Sequence, residues 1–105
     1  MEARALDDLL AEQLAAGRPY LEFLRSGSMS IGLYVLNAGA TDRQSPHRED
    51  EVYVVLAGRS RFTAGDEMRE VAHGDTIYVA AGVPHRFYDI TEQLQLIVVF
   101  APPET

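Results

Sequence analysis

At 105 residues the chain has room for one hydrophobic core, because a second could not bury enough surface to offset its own ordering entropy. With 47% apolar and 24% charged residues, it falls outside the disordered and fibrous classes. The formal net charge is -7, and the nine basic residues are all arginine and nowhere clustered with aromatics, which excludes nucleic acid as a partner.

The first predicted element is a short amphipathic helix within residues 2–16. Leu6, Leu9, Leu10 and Leu14 recur at helical spacing with Asp7, Asp8 and Glu12 between them, and Gly17 and Pro19 follow as a stop signal. Its polar face is acidic, whereas a helix that seeks a membrane surface is basic, so it is expected to pack outside the following domain or across a dimer interface. No apolar run approaches the roughly 20 residues that span a bilayer, and the N-terminus lacks the basic start and apolar stretch of a signal peptide. A cytoplasmic protein with no membrane partner is expected.

From residue 19 the pattern changes to short runs rich in Val, Ile, Tyr and Phe, punctuated by glycine or proline about every eight to twelve residues. Strands are expected at Tyr20–Leu24, Ser30–Leu36, Glu51–Ala57, Arg59–Thr63, Met68–Val71, Thr76–Val79, His85–Asp89 and Leu94–Phe100. The breaks fall at Ser26-Gly27, Gly39, Gly58, Gly65-Asp66, Gly74-Asp75 and Ala81-Gly82-Val83-Pro84, and Pro102-Pro103 ends the last strand. The chain therefore divides into a helix over residues 1–18 and an all-β, antiparallel sandwich or barrel over residues 19–105.

Chemistry must come from a restricted set of side chains. The absence of lysine removes Schiff-base chemistry, and the absence of cysteine removes thiol nucleophiles, disulfides and thiolate metal sites. A metal here would have to be held by histidine and carboxylate. Of the three histidines, His47 stands four residues before Glu51 at the start of a strand, and His85 opens a later strand after a Gly-Val-Pro turn. In an extended chain, residues of one parity share a face. Ser45, His47, Glu49, Glu51 and Tyr53 can thus point one way, as can His85, Phe87 and Asp89. His73, just before the Gly74-Asp75 turn, is expected to face solvent.

These residues resemble the two motifs of the cupins, specifically the small single-domain ones. The first motif runs Gly, five residues, His-x-His, three or four residues, Glu, six residues, Gly. Here Gly39 is followed by five residues, Ser45-Pro46-His47, three residues, Glu51, six residues and Gly58. The second runs Gly, five residues, Pro-x-Gly, two residues, His, three residues, Asn. It is matched by Gly74, five residues, Ala80-Ala81-Gly82, Val83-Pro84, His85, three residues and Asp89. Fifteen residues separate Gly58 from Gly74, and the resemblance covers about residues 30–100. It implies an antiparallel jelly-roll β-barrel and a homodimer, with the leading helix or the Tyr20–Leu24 strand offering apolar surface for pairing.

The resemblance also implies a metal site of three histidines and one glutamate, from which this chain departs. Ser45 stands where the first histidine belongs, which leaves His47, Glu51 and His85 as ligands. An alternative alignment makes His47 the first histidine and deletes the second. Two imidazoles and one carboxylate with open positions suit Fe(II) and could equally hold Mn, Ni or Zn. Water, or Glu49 reaching across, would take the place of the missing ligand. Tyr53 and Phe87 would wall the pocket or simply fill the barrel. Arg61 and Arg86 are candidates to clamp a substrate carboxylate, although Arg86, of opposite parity to His85, is expected to face outward. Ser45 has no histidine placed as its base and no Gly-x-Ser-x-Gly elbow occurs, which disfavours nucleophilic hydrolysis. Two readings of function stay open. One is a metal-dependent oxygenase or isomerase acting on a small organic substrate, and the other is a non-catalytic module binding a small ligand or metal.

Overall fold

The computed structural model describes residues 1–105. Helix α1 (Leu6–Ala16) begins with Asp7 and Asp8 in its first turn, where the helix dipole favours negative charge. It ends at Gly17, whose left-handed backbone lets its N–H return to the carbonyl of Gln13. Only the middle of its apolar stripe is used. Leu9 is buried with Leu33 and Val35, and Leu10 packs beside them, whereas Leu6 and Leu14 stay exposed. No helix is long and apolar enough to cross a membrane.

Six antiparallel strands follow, β1 (Tyr20–Arg25), β2 (Ser30–Leu36), β3 (Asp50–Ala64), β4 (Glu67–Ala72), β5 (Thr76–Val79) and β6 (His85–Ala101). They hydrogen-bond in the order β1-β2-β6-β3-β4, with β5 on β3. This is the expected all-β jelly-roll with one short helix. The two faces of β2 divide its labour. Leu33 and Val35 turn toward the helix, while Leu36 and the ring of Tyr34 join the main core inside the sheet. Gly32 permits the close approach of the Tyr20 ring, since a Cβ there would stand 2.2 Å from Tyr20 Cζ.

Two expected breaks do not end strands. Gly58 and the Asp89–Leu94 stretch each lie inside one long strand, so β3 has 15 residues and β6 has 17. The halves pair in two stages. Asp50–Ala57 runs against Gln95–Ala101, and Arg59–Ala64 against His85–Glu92, with register shifts between Val55 and Arg61. Each shift adds residues to one strand, and an added residue reverses which parity faces the core. In β3 the buried positions pass from Glu51, Tyr53 and Val55 to Ser60 and Phe62. In β6 they pass from His85 and Phe87 to Ile90, Leu94, Leu96, Val98 and Phe100. Asp89 is therefore not on the inner face with His85 and Phe87. It adopts φ 48° and turns out to meet Arg61 at 3.7 Å.

Gly58 is where β3 turns. Its φ is +101°, a backbone state that side chains with a Cβ rarely adopt, and a Cβ would fall 2.2 Å from the carbonyl oxygen of Gln93. Gly58→Ala is expected to cost about 3 kcal/mol from backbone strain and overpacking. That corresponds to a fall in Tm on the order of 12–20 °C for a domain of this size. A thermal melt with unchanged Tm would show that the bend is not needed.

Candidate metal centre

Three separate segments converge on one end of the sheet interior. His47 comes from the loop before β3, Glu51 is the second residue of β3, and His85 is the first of β6. The loops that carry the histidines are stitched together. The Gly82 N–H donates to the His47 carbonyl at 2.7 Å, and the Ala81 N–H donates to Asp50 Oδ1 at 2.9 Å. Asp50 thus has a structural task, although its side chain points outward from the strand as its parity predicts.

The ligating atoms of His47, Glu51 and His85 all lie within 4.8 Å of one another. His85 Nε2 is 2.8 Å and His47 Nε2 is 3.9 Å from Glu51 Oε1. The imidazole rings are 5.5 Å apart, and the His47 ring also meets Phe100 edge-on at 4.8 Å. His85 Nδ1 lies 2.8 Å from the carbonyl of Val83, to which it donates, so the inward Nε2 of a neutral ring carries a lone pair. Glu51 Oε1 is buried, receives no other donor, and lies 2.8 Å from His85 Nε2. Two electron-rich atoms 2.8 Å apart repel unless a cation sits with them. A proton on Nε2 relieves this in part. Burial pulls the His85 pKa down, but the Glu51 carboxylate and the Val83 carbonyl outweigh it and raise it above the ordinary histidine value.

A second layer of polar groups holds the first. Asp42 is buried and accepts three hydrogen bonds, from the Tyr34 hydroxyl, from Gln44 Nε2 at 2.7 Å and from the Phe87 N–H at 2.9 Å. Because the Gln44 amide nitrogen donates to Asp42, its oxygen faces the site. There it accepts from the Tyr53 hydroxyl at 2.9 Å and lies 3.3 Å from His47 Nε2. Tyr53 Oη is 3.1 Å from His85 Nε2. Burial and the nearby Glu51 charge push the Tyr53 pKa well above the phenol range, so it stays a hydroxyl. On the other side, Glu104 Oε2 is 3.3 Å from His47 Nδ1. Burial raises the Glu104 pKa, His47 opposes that, and the carboxylates of Glu51, Glu49 and Glu22 add to the rise.

Beside the triad opens a cavity of about 230 Å³ whose lining includes His47, Glu51, Ser45, Tyr34 and Phe100. Ser45 is therefore on the cavity wall. Tyr53 lies beneath the triad and touches it through its hydroxyl. Glu49 is buried away from the cavity lining, where its Oε2 accepts from the Thr105 hydroxyl at 3.1 Å. Phe87 packs on Tyr53 and Phe62, with ring centroids 5.0 and 4.6 Å away, and fills the interior. Arg61 and Arg86 lie outside, paired with Asp89 and stacked over Tyr88 respectively, and His73 is exposed.

Sequence reasoning passed over Asp42, Gln44, Tyr20, Arg43 and Glu104. The first two and Arg43 fall in the unpatterned gap between Gly39 and Ser45, and Glu104 follows two prolines that read as the end of structure. No spacing marks Asp42 or Gln44, because loop residues obey no parity.

Comparison with known proteins agrees with this architecture. The family described as Cupin domain matches residues 32–100. An uncharacterized protein of Streptomyces coelicolor is 52% identical over 105 residues, the whole of both chains. A crystal structure from Thermus thermophilus superposes with TM-score 0.75 at 26% identity, covering 98% of this chain and 99% of that one. An RmlC-like cupin of Methanocaldococcus jannaschii, with a double-stranded β-helix fold, gives TM-score 0.71 at 20% identity over 79% of this chain and 78% of its own. The match over residues 32–100 carries both the strand that bears Glu51 and the strand that bears His85, and the chain belongs to the cupin family.

Proposed function

We propose that this cupin holds one divalent first-row transition ion, of Fe, Mn, Ni or Zn, through His47, Glu51 and His85, and acts as an oxygenase or isomerase on a small organic molecule. The observation that carries the reading is the convergence of one ligating atom each from His47, Glu51 and His85 to within 4.8 Å of one another, with Glu51 and His85 buried. Imidazole and carboxylate in this number suit such an ion and leave positions open for a ligand. Bound there, the ion supplies Lewis acidity or, where it is redox-active, an electron-transfer centre.

The protein's own groups then have definable tasks. The Val83 carbonyl sets the His85 tautomer, the outer-shell arrangement that orients ligating histidines, and Glu104 stands 3.3 Å from His47 Nδ1 on the far side of that ring. Gln44 and Tyr53 hold a hydrogen-bonded floor, and the rings of Tyr34 and Phe100 exclude water from one side of the cavity. No base stands free for proton transfer, since Asp42 already accepts three hydrogen bonds and Glu104 is paired with His47. That observation favours, as a second reading, a binding module without turnover. A homodimer joined along the β1 edge is the expected assembly, because an edge strand leaves backbone groups free to pair. Light scattering that returns the mass of one 11.6 kDa chain would rule the dimer out.

Untagged protein is expected to carry about one equivalent of metal by elemental analysis, falling well below that in His47→Ala, Glu51→Gln and His85→Ala. Added metal at a hundredfold excess over Kd stabilises by about 2.7 kcal/mol, a rise in Tm on the order of 10 °C. The reading fails if the wild type contains no stoichiometric metal and none of the four ions raises its Tm above that of the variants. Asp42→Asn replaces one acceptor oxygen by a donor facing donors. It should destabilise the metal-free protein by roughly 1–3 kcal/mol for each group left unpaired and weaken metal binding about 10–100-fold through the loosened Gln44. Calorimetry with metal titration checks both, and an unchanged metal affinity would separate Asp42 from the site.

A further inference from the structure

His47 is the member of the triad that the sheet does not hold. Glu51 and His85 belong to β3 and β6, whose pleat fixes where their side chains point, and each keeps 2% of its side-chain surface exposed. His47 stands in the loop before β3 and keeps 19%. The outer nitrogen of His85 is tied to the Val83 carbonyl at 2.8 Å. At the outer nitrogen of His47 the facing group is Glu104, whose Oε2 lies 3.3 Å from Nδ1.

Glu104 is itself held in place through its backbone. β6 ends at Ala101, and residues 102–105 then turn across the end of the sheet, from the start of β2 to the loop that carries His47. The Glu104 N–H donates to Ser30 Oγ at 3.0 Å, and the Glu104 carbonyl accepts from Arg25 Nη2 at 2.6 Å. Arg25 is braced in turn by the Glu22 carboxylate, to which its Nε and Nη2 donate at 3.1 and 2.9 Å. The Thr105 hydroxyl donates to Glu49 Oε2 at 3.1 Å. Ser30 and Glu49 are buried, and buried polar groups are rarely left without a partner. Residues 104 and 105 supply one to each, so the segment is built into the barrel.

We propose that residues 102–105 form a strap that positions His47 as a metal ligand, with the Glu104 carboxylate as its contact on the ring. Ligation through Nε2, in the reading on which this proposal rests, leaves the ring proton on Nδ1, where an acceptor fixes the ring and a carboxylate balances its charge. Without that acceptor the side chain regains freedom about its two torsions and presents Nε2 to the site for only part of the time.

Two measurements test it. One is calorimetry of wild type and variants with Fe(II), Mn(II), Ni(II) and Zn(II). The other needs no metal: the nuclear Overhauser contact between the His47 and Phe100 rings, whose centroids stand 4.8 Å apart, in chelator-treated protein. Glu104→Ala is expected to weaken metal binding about 10–100-fold and to diminish the ring contact. The Tm of the metal-free variant should stay within about 4 °C of wild type, because the backbone hydrogen bonds of residue 104 survive. Glu104→Gln, of equal length and still an acceptor, should recover part of both signals. Glu104→Asp, charged but one methylene short on a strap anchored by its backbone, should recover neither. Arg25→Gln, which loosens the strap away from the triad, should reproduce the losses in smaller degree. The proposal is overturned if Glu104→Ala leaves metal affinity or the ring contact unchanged. It is equally overturned if Glu104→Asp recovers what Glu104→Gln does not, since charge alone would then account for the effect. A wild type that binds none of the four ions sinks the metal reading instead, and the ring contact then decides whether the strap orients His47.

Discussion

The site depends on one ladder of backbone hydrogen bonds folding in half. β3 and β6 pair antiparallel along their length, so Glu51 lies opposite Phe100 at one end while His85 lies opposite Ala64 at the other. On a flat sheet the thirteen residues from Glu51 to Ala64 would hold those ends on the order of 40 Å apart. Glu51 and His85 nevertheless meet at 2.8 Å. The register shifts around Gly58, one extra residue in β3 and then three in β6, turn each strand back over the interior and convert two distant ends into neighbours. Everything chemical in the molecule follows from that turn.

The same turn explains what was legible in the sequence and what was not. His47, Glu51 and His85 could be singled out because they stand at set distances from Gly39, Gly58, Gly74 and Gly82 in motifs that resemble those of the cupins, although His47 itself lies in a loop. Strand positions were readable from the glycine and proline breaks, with limits at Tyr20, Ser30 and Thr76 matching those observed. Reasoning by parity failed where a strand gains a residue. Asp89 was expected beside His85 and faces solvent, and Gly58 looked like a stop when it is a hinge within one strand. Parity also has no meaning in loops, so Glu49, which spacing alone left undecided between the site face and solvent, is tied to Thr105. Arg43, rather than Arg61 or Arg86, proves to be the arginine at the cavity, because its loop is positioned by the hydrogen bonds of Asp42 and not by a strand.

The polar interior is organised from outside inward. Asp42 has no contact with the triad, yet it fixes the orientation of Gln44, and Gln44 in turn fixes the hydroxyl of Tyr53 and borders His47. A buried carboxylate is costly unless its lone pairs are satisfied, and here three donors drawn from β2, the loop and β6 satisfy it. Those donors come from parts of the chain that would otherwise be independent. The loop bearing His47 is thereby bound to the sheet at Asp42, at Gln44 and again through Gly82. A surface loop has become a rigid support, the kind of backing on which ligand geometry relies.

The placement of the aromatic rings gives the molecule an optical property. The chain has no tryptophan and five tyrosines. Three of these, Tyr20, Tyr34 and Tyr53, stand on the cavity or directly under the triad, and two of the three donate their hydroxyl hydrogens to neighbours there. Tyrosine signals of the near-ultraviolet circular dichroism and intrinsic emission therefore report in large part on the surroundings of this cavity, so a change there is open to observation without any added label.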